Sequence, residues 1–184
     1  MKRRALFLDR DGVINTDKGY VHKPEDFEFI EGIFDLVAYA NRAEYLVVVV
    51  TNQAGIGRGY FSELDFHNLT IWMKDKFTEK GAKIDAVYFC PFHPEHGKGK
   101  YKRESDMRKP SPGMLFMAQS ELAIDLKQSI LIGDKSTDIA AGRTAGVGTL
   151  LLFQYANACS DKNVITRLSQ ALSYFSLLEN EKIR

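Results

Sequence analysis

Two aspartates separated by one residue, Asp9 and Asp11, stand directly behind the apolar run Ala5-Leu-Phe-Leu8. In extended backbone alternate side chains point to the same side, so both carboxylates face one place. A third acid, Asp134, follows the run Ile130-Leu-Ile-Gly133, with Lys135 beside it, and Thr51-Asn52 follows the run ending at Val50. Close carboxylates repel one another unless a cation lies between them. Hard oxygen donors of this kind suit Mg²⁺, which keeps several waters and is commonly shared with phosphate oxygens. Any one of these aspartates reads as a solvated turn residue. The set, in this order and each at the end of an apolar run, reads as a metal and anion site.

Short apolar segments have to carry these groups to one place. Ala5 to Leu8, Tyr45 to Val50, Ile84 to Phe89, Ser129 to Ile132 and Thr149 to Phe153 read as buried strands. Helical spacing lies between them. Ser62, with Asp65 three residues on, opens a helix that carries Phe66, Leu69, Met73 and Phe77 on one face. Ser111 is the expected N-cap, with Pro112 at the first helical position, of a helix bearing Leu115, Ala118 and Leu122. A helix from Ser136 to Ala145 should stop at Gly146, and a last one should place Val164, Ile165, Leu168, Leu172 and Phe175 on one side. Alternation of this kind predicts an α/β fold, a mostly parallel sheet with helices on both faces, whose ligand crevice lies at the carboxyl ends of the strands. No repeat or linker interrupts it, so residues 1–184 are expected to form one domain, and the irregular stretch from Pro91 to Met107 is long enough to be functional.

Composition excludes several partners. Lys and Arg number 25 against 24 Asp and Glu, so there is no electrostatic reason to expect nucleic acid or an anionic membrane as a ligand. The basic cluster Lys98-Gly-Lys100-Tyr-Lys102-Arg103 is short and reads as a solvated loop. The apolar run after Lys2 to Arg4 ends at Leu8, far short of a signal-peptide core, and no stretch approaches the ~20 apolar residues that span a bilayer. Cys90 and Cys159 are expected as free thiols. A cytoplasmic monomer acting on a small molecule is the expectation.

The combination Asp9-Arg-Asp11-Gly12, Thr51 behind a hydrophobic strand, Lys109 before Pro110 and Gly133-Asp134-Lys-Ser-Thr-Asp138 resembles the haloacid dehalogenase-like phosphotransferases, a Rossmann-like fold. Gly19-Tyr-Val-His22, Thr51-Asn-Gln-Ala-Gly-Ile-Gly57 and Arg108-Lys-Pro-Ser-Pro-Gly-Met114 narrow the resemblance to the heptose-bisphosphate and histidinol-phosphate phosphatase branch. It implies that Asp9 is a nucleophile forming an aspartyl-phosphate, and that Asp11 protonates the leaving oxygen and then activates water. It implies that Mg²⁺ is held by Asp9, the backbone carbonyl of Asp11 and Asp134, and that Thr51 and Lys109 bind the transferring phosphoryl group. Arg108 is the candidate for a second phosphate or for hydroxyls, because a planar guanidinium binds them bidentately. The loop Asp17-Lys18-Gly19-Tyr20, with Asn52, Gln53, Ala54 and Lys135, would line the sugar pocket. For Asp138 a capping or supporting role is as well supported as metal ligation, and it is left outside the metal set.

Two departures from the family pattern matter. Many relatives carry a zinc loop, Cys-x-His followed by Cys-x-Cys ahead of Arg-Lys-Pro, where this chain has Cys90-Pro-Phe92 and Ser105-Asp-Met107. An improvised set from Cys90, His93, His96 and Asp106 is conceivable, but structural Zn²⁺ is not expected, and the 91–107 loop should pack by other means. The roughly 40 residues between the first motif and Thr51 also leave no room for a cap domain, so the site should be open. Heptose 1,7-bisphosphate, losing its 7-phosphate, leads as substrate in a lipopolysaccharide or other surface-sugar route, with histidinol phosphate as runner-up.

Rival readings fit less well. Gly55-Ile-Gly57-Arg-Gly59 lacks the Gly-x-Gly-x-x-Gly spacing of a dinucleotide site and is expected to be a flexible turn near the phosphate. A phospho-aspartate switch would also cluster acids, Thr and Lys at strand ends, but a long-lived phosphoryl group does not need an acid/base residue at Asp11.

Overall fold

The computed structural model describes residues 2–154 and 163–175, so Cys159 lies outside the described residues. Six strands are present among the described residues: β1 (Ala5–Leu8), β2 (Leu46–Asn52), β3 (Ala86–Cys90), β4 (Ile130–Gly133), β5 (Thr149–Phe153) and β6 (Val164–Ile165). They form one sheet in the order β3-β2-β1-β4-β5-β6, and every neighbouring pair is parallel.

Side chains along each strand alternate between two apolar layers. Leu6, Leu8, Val47, Val49, Ile130 and Ile132 face a layer containing α1 (Ile33–Arg42), through Ile33, Leu36 and Val37, and α3 (Glu63–Glu79), through Leu69, Met73 and Phe77. Ala5, Phe7, Val48, Val50 and Leu131 turn the other way, towards Met114, Leu115 and Ala118 of α4 (Gly113–Leu122) and Ala141 of α5 (Ser136–Ala145). Each fully buried Leu, Ile, Val or Phe contributes roughly 1.5–3 kcal/mol, and a slip of one residue would send every one to the wrong layer. Register is fixed in this way, and with it the position of every residue just past a strand end.

Local signals explain most of the boundaries. Ser62 Oγ accepts from the Asp65 N–H at 3.1 Å while the Ser62 N–H donates to Asp65 Oδ2 at 2.8 Å, a reciprocal cap on α3. Gly146 ends α5 with φ 79°. Among the described residues no helix is long and apolar enough to cross a membrane.

Three expectations need correction, and one helix was not anticipated. Helix α4 starts at Gly113 with Pro112 as its cap, so Ser111 is not the N-cap; the Ser111 N–H instead donates to the Arg108 carbonyl at 2.8 Å. Val164 and Ile165 are not helical. They pair with Leu152 and Phe153 as β6, where β-branched side chains fit the sheet edge, and a 3₁₀ turn, Leu168–Ala171, follows. Residues Ala54–Arg58 form a short helix, α2, in place of the flexible turn expected there. Helix α1 was not anticipated, although its buried face, Ile33, Leu36, Val37 and Ala40, has helical spacing.

Strand order reverses around β1, whose neighbours β2 and β4 lead the chain outwards in opposite directions. A crevice opens at the carboxyl ends of strands at such a switch point. Asp9, Thr51 and Asp134 all sit there, at the ends of β1, β2 and β4.

Candidate active site

The floor of this crevice is a buried ammonium among acids. Lys109 Nζ lies 2.9 Å from Asp9 Oδ1 and 2.7 Å from Asp138 Oδ1, and donates to the Val50 carbonyl at 2.8 Å. The side chains of Lys109, Asp9 and Asp138 are 4%, 8% and 2% exposed. Burial pulls the Lys109 ammonium towards neutrality, but the charges of Asp9 and Asp138 outweigh it and hold the group above the usual lysine range. Asn52 fixes the backbone beneath it: its Nδ2 donates to the Lys109 carbonyl at 3.0 Å, and its Oδ1 accepts from the Lys109 N–H at 3.1 Å.

Asp9 accepts from the Arg10 N–H at 2.7 Å through the same Oδ1 that meets Lys109, which leaves Oδ2 for other chemistry. Burial raises the Asp9 carboxyl; Lys109 opposes this, and repulsion from Asp138 and Asp11 adds to it. Asp134 is pushed up to about 7, by burial first and then by the Asp9 charge. One carboxylate oxygen each from Asp9, Asp134 and Asp138 lies within 4.8 Å of the others. Asp134 Oδ1 is buried without a hydrogen-bond partner. Gly12, at φ 93°, passes so close that a Cβ there would meet Asp134 Oδ2 at 2.3 Å. Carboxylates crowded together, with Asp9 and Asp134 raised in pKa and Asp134 Oδ1 lacking a donor, fit a divalent cation.

Asp11 is held differently. Arg10, 2% exposed, donates through Nη2 to Asp11 Oδ1 and Oδ2 at 2.9 and 3.0 Å and to the Val21 carbonyl at 2.6 Å. Asn15 Nδ2 and Gln53 Nε2 donate to the same carboxylate at 3.0 and 2.9 Å. Gln53 also donates to Thr51 Oγ1 at 2.9 Å, so the Thr51 hydroxyl proton can point to a ligand.

A cavity of about 370 Å³ opens above these groups. Asp9, Asp11, Asp17, Gly19, Tyr20, Thr51, Asn52, Gln53, Ala54, Lys109 and Lys135 line it, as do Gly55, Thr137 and Asp138. At its rim Lys135 Nζ reaches Asp17 Oδ2 at 3.0 Å. Burial pushes the Asp17 carboxyl up, but hydrogen bonds from Lys135 and the Gly19 N–H outweigh it and lower it. Three expected residues are not part of that lining. Asp134 lines an adjoining cavity, Lys18 pairs with Glu28 at 3.0 Å, and Arg108 donates to the Phe92 carbonyl at 3.3 Å.

Sequence reasoning missed Arg10 and undervalued Asp138. Arg10 could have been suspected, since an arginine just past a buried strand needs a carboxylate partner and is flanked by two aspartates. Asp138 does cap, accepting from the Lys135 N–H at 2.9 Å through Oδ2, but Oδ1 is the second partner of Lys109. The two roles belong to different oxygens, which no spacing argument distinguishes. Cys90, His93, His96 and Asp106 do not converge among the described residues. Cys90 is buried, and His93 Nδ1 accepts the N–H groups of Glu95 and His96 at 3.3 and 3.2 Å.

A HAD-hydrolase-like family model matches residues 106–154. The chain is 62% identical over 152 residues to a D-glycero-alpha-D-manno-heptose-1,7-bisphosphate 7-phosphatase of Burkholderia mallei, covering 83% of this chain and 80% of that protein. It is 53% identical over 152 residues to a D-glycero-beta-D-manno-heptose-1,7-bisphosphate 7-phosphatase of Vibrio cholerae, covering 83% and 82%. Among solved structures, the D,D-heptose 1,7-bisphosphate phosphatase of B. bronchiseptica, complexed with magnesium and phosphate, superposes with a TM-score of 0.80 at 27% identity, over 96% of this chain and 99% of that one.

Proposed function

The chain belongs to the haloacid dehalogenase-like heptose-1,7-bisphosphate 7-phosphatases, and from that premise we propose that it hydrolyses the 7-phosphate of D-glycero-D-manno-heptose 1,7-bisphosphate. Phosphatases of this family use Mg²⁺. In this chain Asp9, Asp134 and the backbone carbonyl of Asp11 would hold the ion, whose charge when bound screens the phosphoryl oxygens against the approaching carboxylate.

Asp9 Oδ2 is the nucleophile. It attacks phosphorus in line with the ester oxygen, the P–O bond to C7 breaks, and Asp11 gives its proton to the departing sugar oxygen. An aspartyl-phosphate remains on Asp9. Asp11 then takes a proton from a water that attacks the same phosphorus, releasing inorganic phosphate and restoring Asp9. Lys109 and the Thr51 hydroxyl bind the equatorial phosphoryl oxygens, where preorganised positive groups are worth far more than in water. Arg10, Asn15 and Gln53 orient Asp11, and Asn52 orients Lys109. Asp17, Gly19, Tyr20, Gln53, Ala54 and Lys135 surround the sugar, and Arg108 takes its second phosphate. A small cytoplasmic sugar phosphate is the partner this site suits.

The observation that carries this reading is the 4% exposed Lys109 seated between Asp9 and Asp138, beneath a cavity that also holds Asp11 and Thr51. A phosphate-release assay with Mg²⁺ over both anomers of heptose 1,7-bisphosphate and histidinol phosphate tests it. Fastest turnover on a heptose bisphosphate is expected. A preference for histidinol phosphate, or a stable phosphoprotein without turnover, overturns the assignment.

A further inference from the structure

Between β3 and α4 the chain runs with a single 3₁₀ turn, Gly99–Tyr101, as its regular structure. A stretch this long loses much conformational entropy when ordered, so something must hold it. The four groups that might have gathered a metal do not converge among the described residues, and His93 offers its Nδ1 to two backbone amides.

Tyr101 sits where such a fastener would have to sit. Its ring packs against the small core of Ile56, Phe61 and Phe66, between α2 and α3. Its hydroxyl donates to Glu63 in the first turn of α3, and Lys100 Nζ lies 3.7 Å from Glu63 Oε1 and 4.8 Å from the Tyr101 ring centre. Its carbonyl accepts the His93 N–H at 3.1 Å, which ties the outgoing arm of the loop to the returning one. Nearby, the Lys98 N–H donates to the Gly57 carbonyl at 2.8 Å. The loop passes so close to α2 that a Cβ on Gly57 would meet the Pro91 carbonyl at 2.4 Å.

The residue before His93 is Phe92, whose carbonyl accepts from Arg108 Nη1 at 3.3 Å and whose ring lies 3.9 Å from the Arg103 guanidinium carbon. A line of direct contacts therefore runs from Glu63 through Tyr101 and the Phe92–His93 backbone to Arg108. Lys109, one residue on, has its own anchor in Asn52. The two neighbours are held by different means.

We propose that Tyr101, seated between α2, α3 and the 91–107 loop and bonded to Glu63, is the metal-free clip of this loop and the positioning residue for Arg108. The inference rests on the bisphosphatase reading, in which Arg108 takes the second phosphate. The clip therefore acts on substrate affinity and leaves the chemical step to the separately anchored Lys109.

Tyr101→Phe keeps the ring and removes the bond to Glu63. The KM for heptose 1,7-bisphosphate should rise about tenfold while kcat stays within about twofold, and the KM for heptose 7-phosphate, which brings no second phosphate, should rise far less. Glu63→Ala should behave alike, and Glu63→Gln, which keeps an acceptor oxygen, should restore most of the loss. Amide exchange across residues 91–107 should quicken in Tyr101→Phe and Glu63→Ala, and should not change when the Mg²⁺-loaded wild-type enzyme is treated with a zinc chelator. Equal rises in KM on both substrates, a fall in kcat, or exchange that quickens on chelation overturns the clip. A wild-type enzyme that releases no phosphate from the bisphosphate sinks the bisphosphatase reading instead, and the exchange comparison still decides for or against the clip.

Discussion

At the floor of the cavity Lys109 is 4% exposed and pairs with two carboxylates, whereas at the rim Lys135 is 54% exposed and pairs with Asp17, itself 36% exposed. The two ammonium groups lie at similar distances from their carboxylates, 2.9 and 3.0 Å, and are not alike in energy. Water screens the rim pair, and pairs of that kind contribute about 0–1 kcal/mol. The floor has no such screening. Taking away its cation leaves buried charges that nothing else neutralises, and breaking a buried pair in this way costs about 3–5 kcal/mol. Floor residues should therefore govern both chemistry and folding, and rim residues should govern which molecule is held.

The sharpest way to break this comparison is Asp9→Asn. The amide is nearly isosteric but cannot attack phosphorus, and turnover should fall by about 10⁴-fold or more, while the chain stays folded because Asp138 still neutralises Lys109. Retained phosphate release would remove the nucleophile from the floor. Lys109→Met comes next. It should lose turnover and about 3–5 kcal/mol in denaturant unfolding, with Asp138→Asn in the same chain recovering part of the stability. A loss below about 1 kcal/mol would mean that the floor behaves as a surface pair. Mg²⁺ should act in the opposite direction by relieving the repulsion among Asp9, Asp134 and Asp138. At about a hundredfold excess over its Kd the gain is roughly 2.7 kcal/mol, read as a rise in melting temperature that Asp134→Asn suppresses.

The same contrast explains what could be read from the sequence. Asp9, Thr51 and Asp134 stand at the ends of apolar strands whose register the core dictates, so these three could be assigned there from the sequence, whereas Lys109 reaches the floor from the loop before α4 and Asp138 from within α5. The parallel sheet and the helices α3, α4 and α5 were legible for the same reason, whereas α1 was not. Arg10 was not, because its value lies in where its guanidinium turns after burial, towards Asp11 and the Val21 carbonyl. Asp138 divides its two oxygens between a helix cap and Lys109, a geometry that spacing does not encode. At the rim, whose loops answer to no core register, Lys18 turns towards Glu28 outside the cavity lining, and the turn expected at Gly55 to Gly59 is a turn of helix. Val164 and Ile165 fit helical periodicity, but the open edge of β5 drew them into the sheet.

Arg108→Ala tests the rim. Its KM for a heptose bisphosphate should rise about tenfold, more than for a monophosphate, with kcat little changed, because Lys109 keeps its place through Asn52. A fall in kcat on both substrates would join Arg108 to the floor and erase the boundary between the two regions.

The smallest effect belongs to Lys18, and it is informative because the sequence offered this residue as a sugar contact. Its ammonium lies 3.0 Å from Glu28, both side chains are about half exposed or more at 48% and 63%, and it does not line the cavity, although Asp17 and Gly19 on either side do. An exposed pair of this kind changes stability by less than about 1 kcal/mol, and Lys18→Ala should lower kcat/KM less than twofold. Asp17→Ala, which leaves Lys135 only its longer 3.8 Å pairing with Asp134 and removes a lining carboxylate, should lower it more. If the two variants lost activity equally, adjacent residues pointing different ways would matter alike, and proximity along the chain, not direction into the cavity, would define the rim.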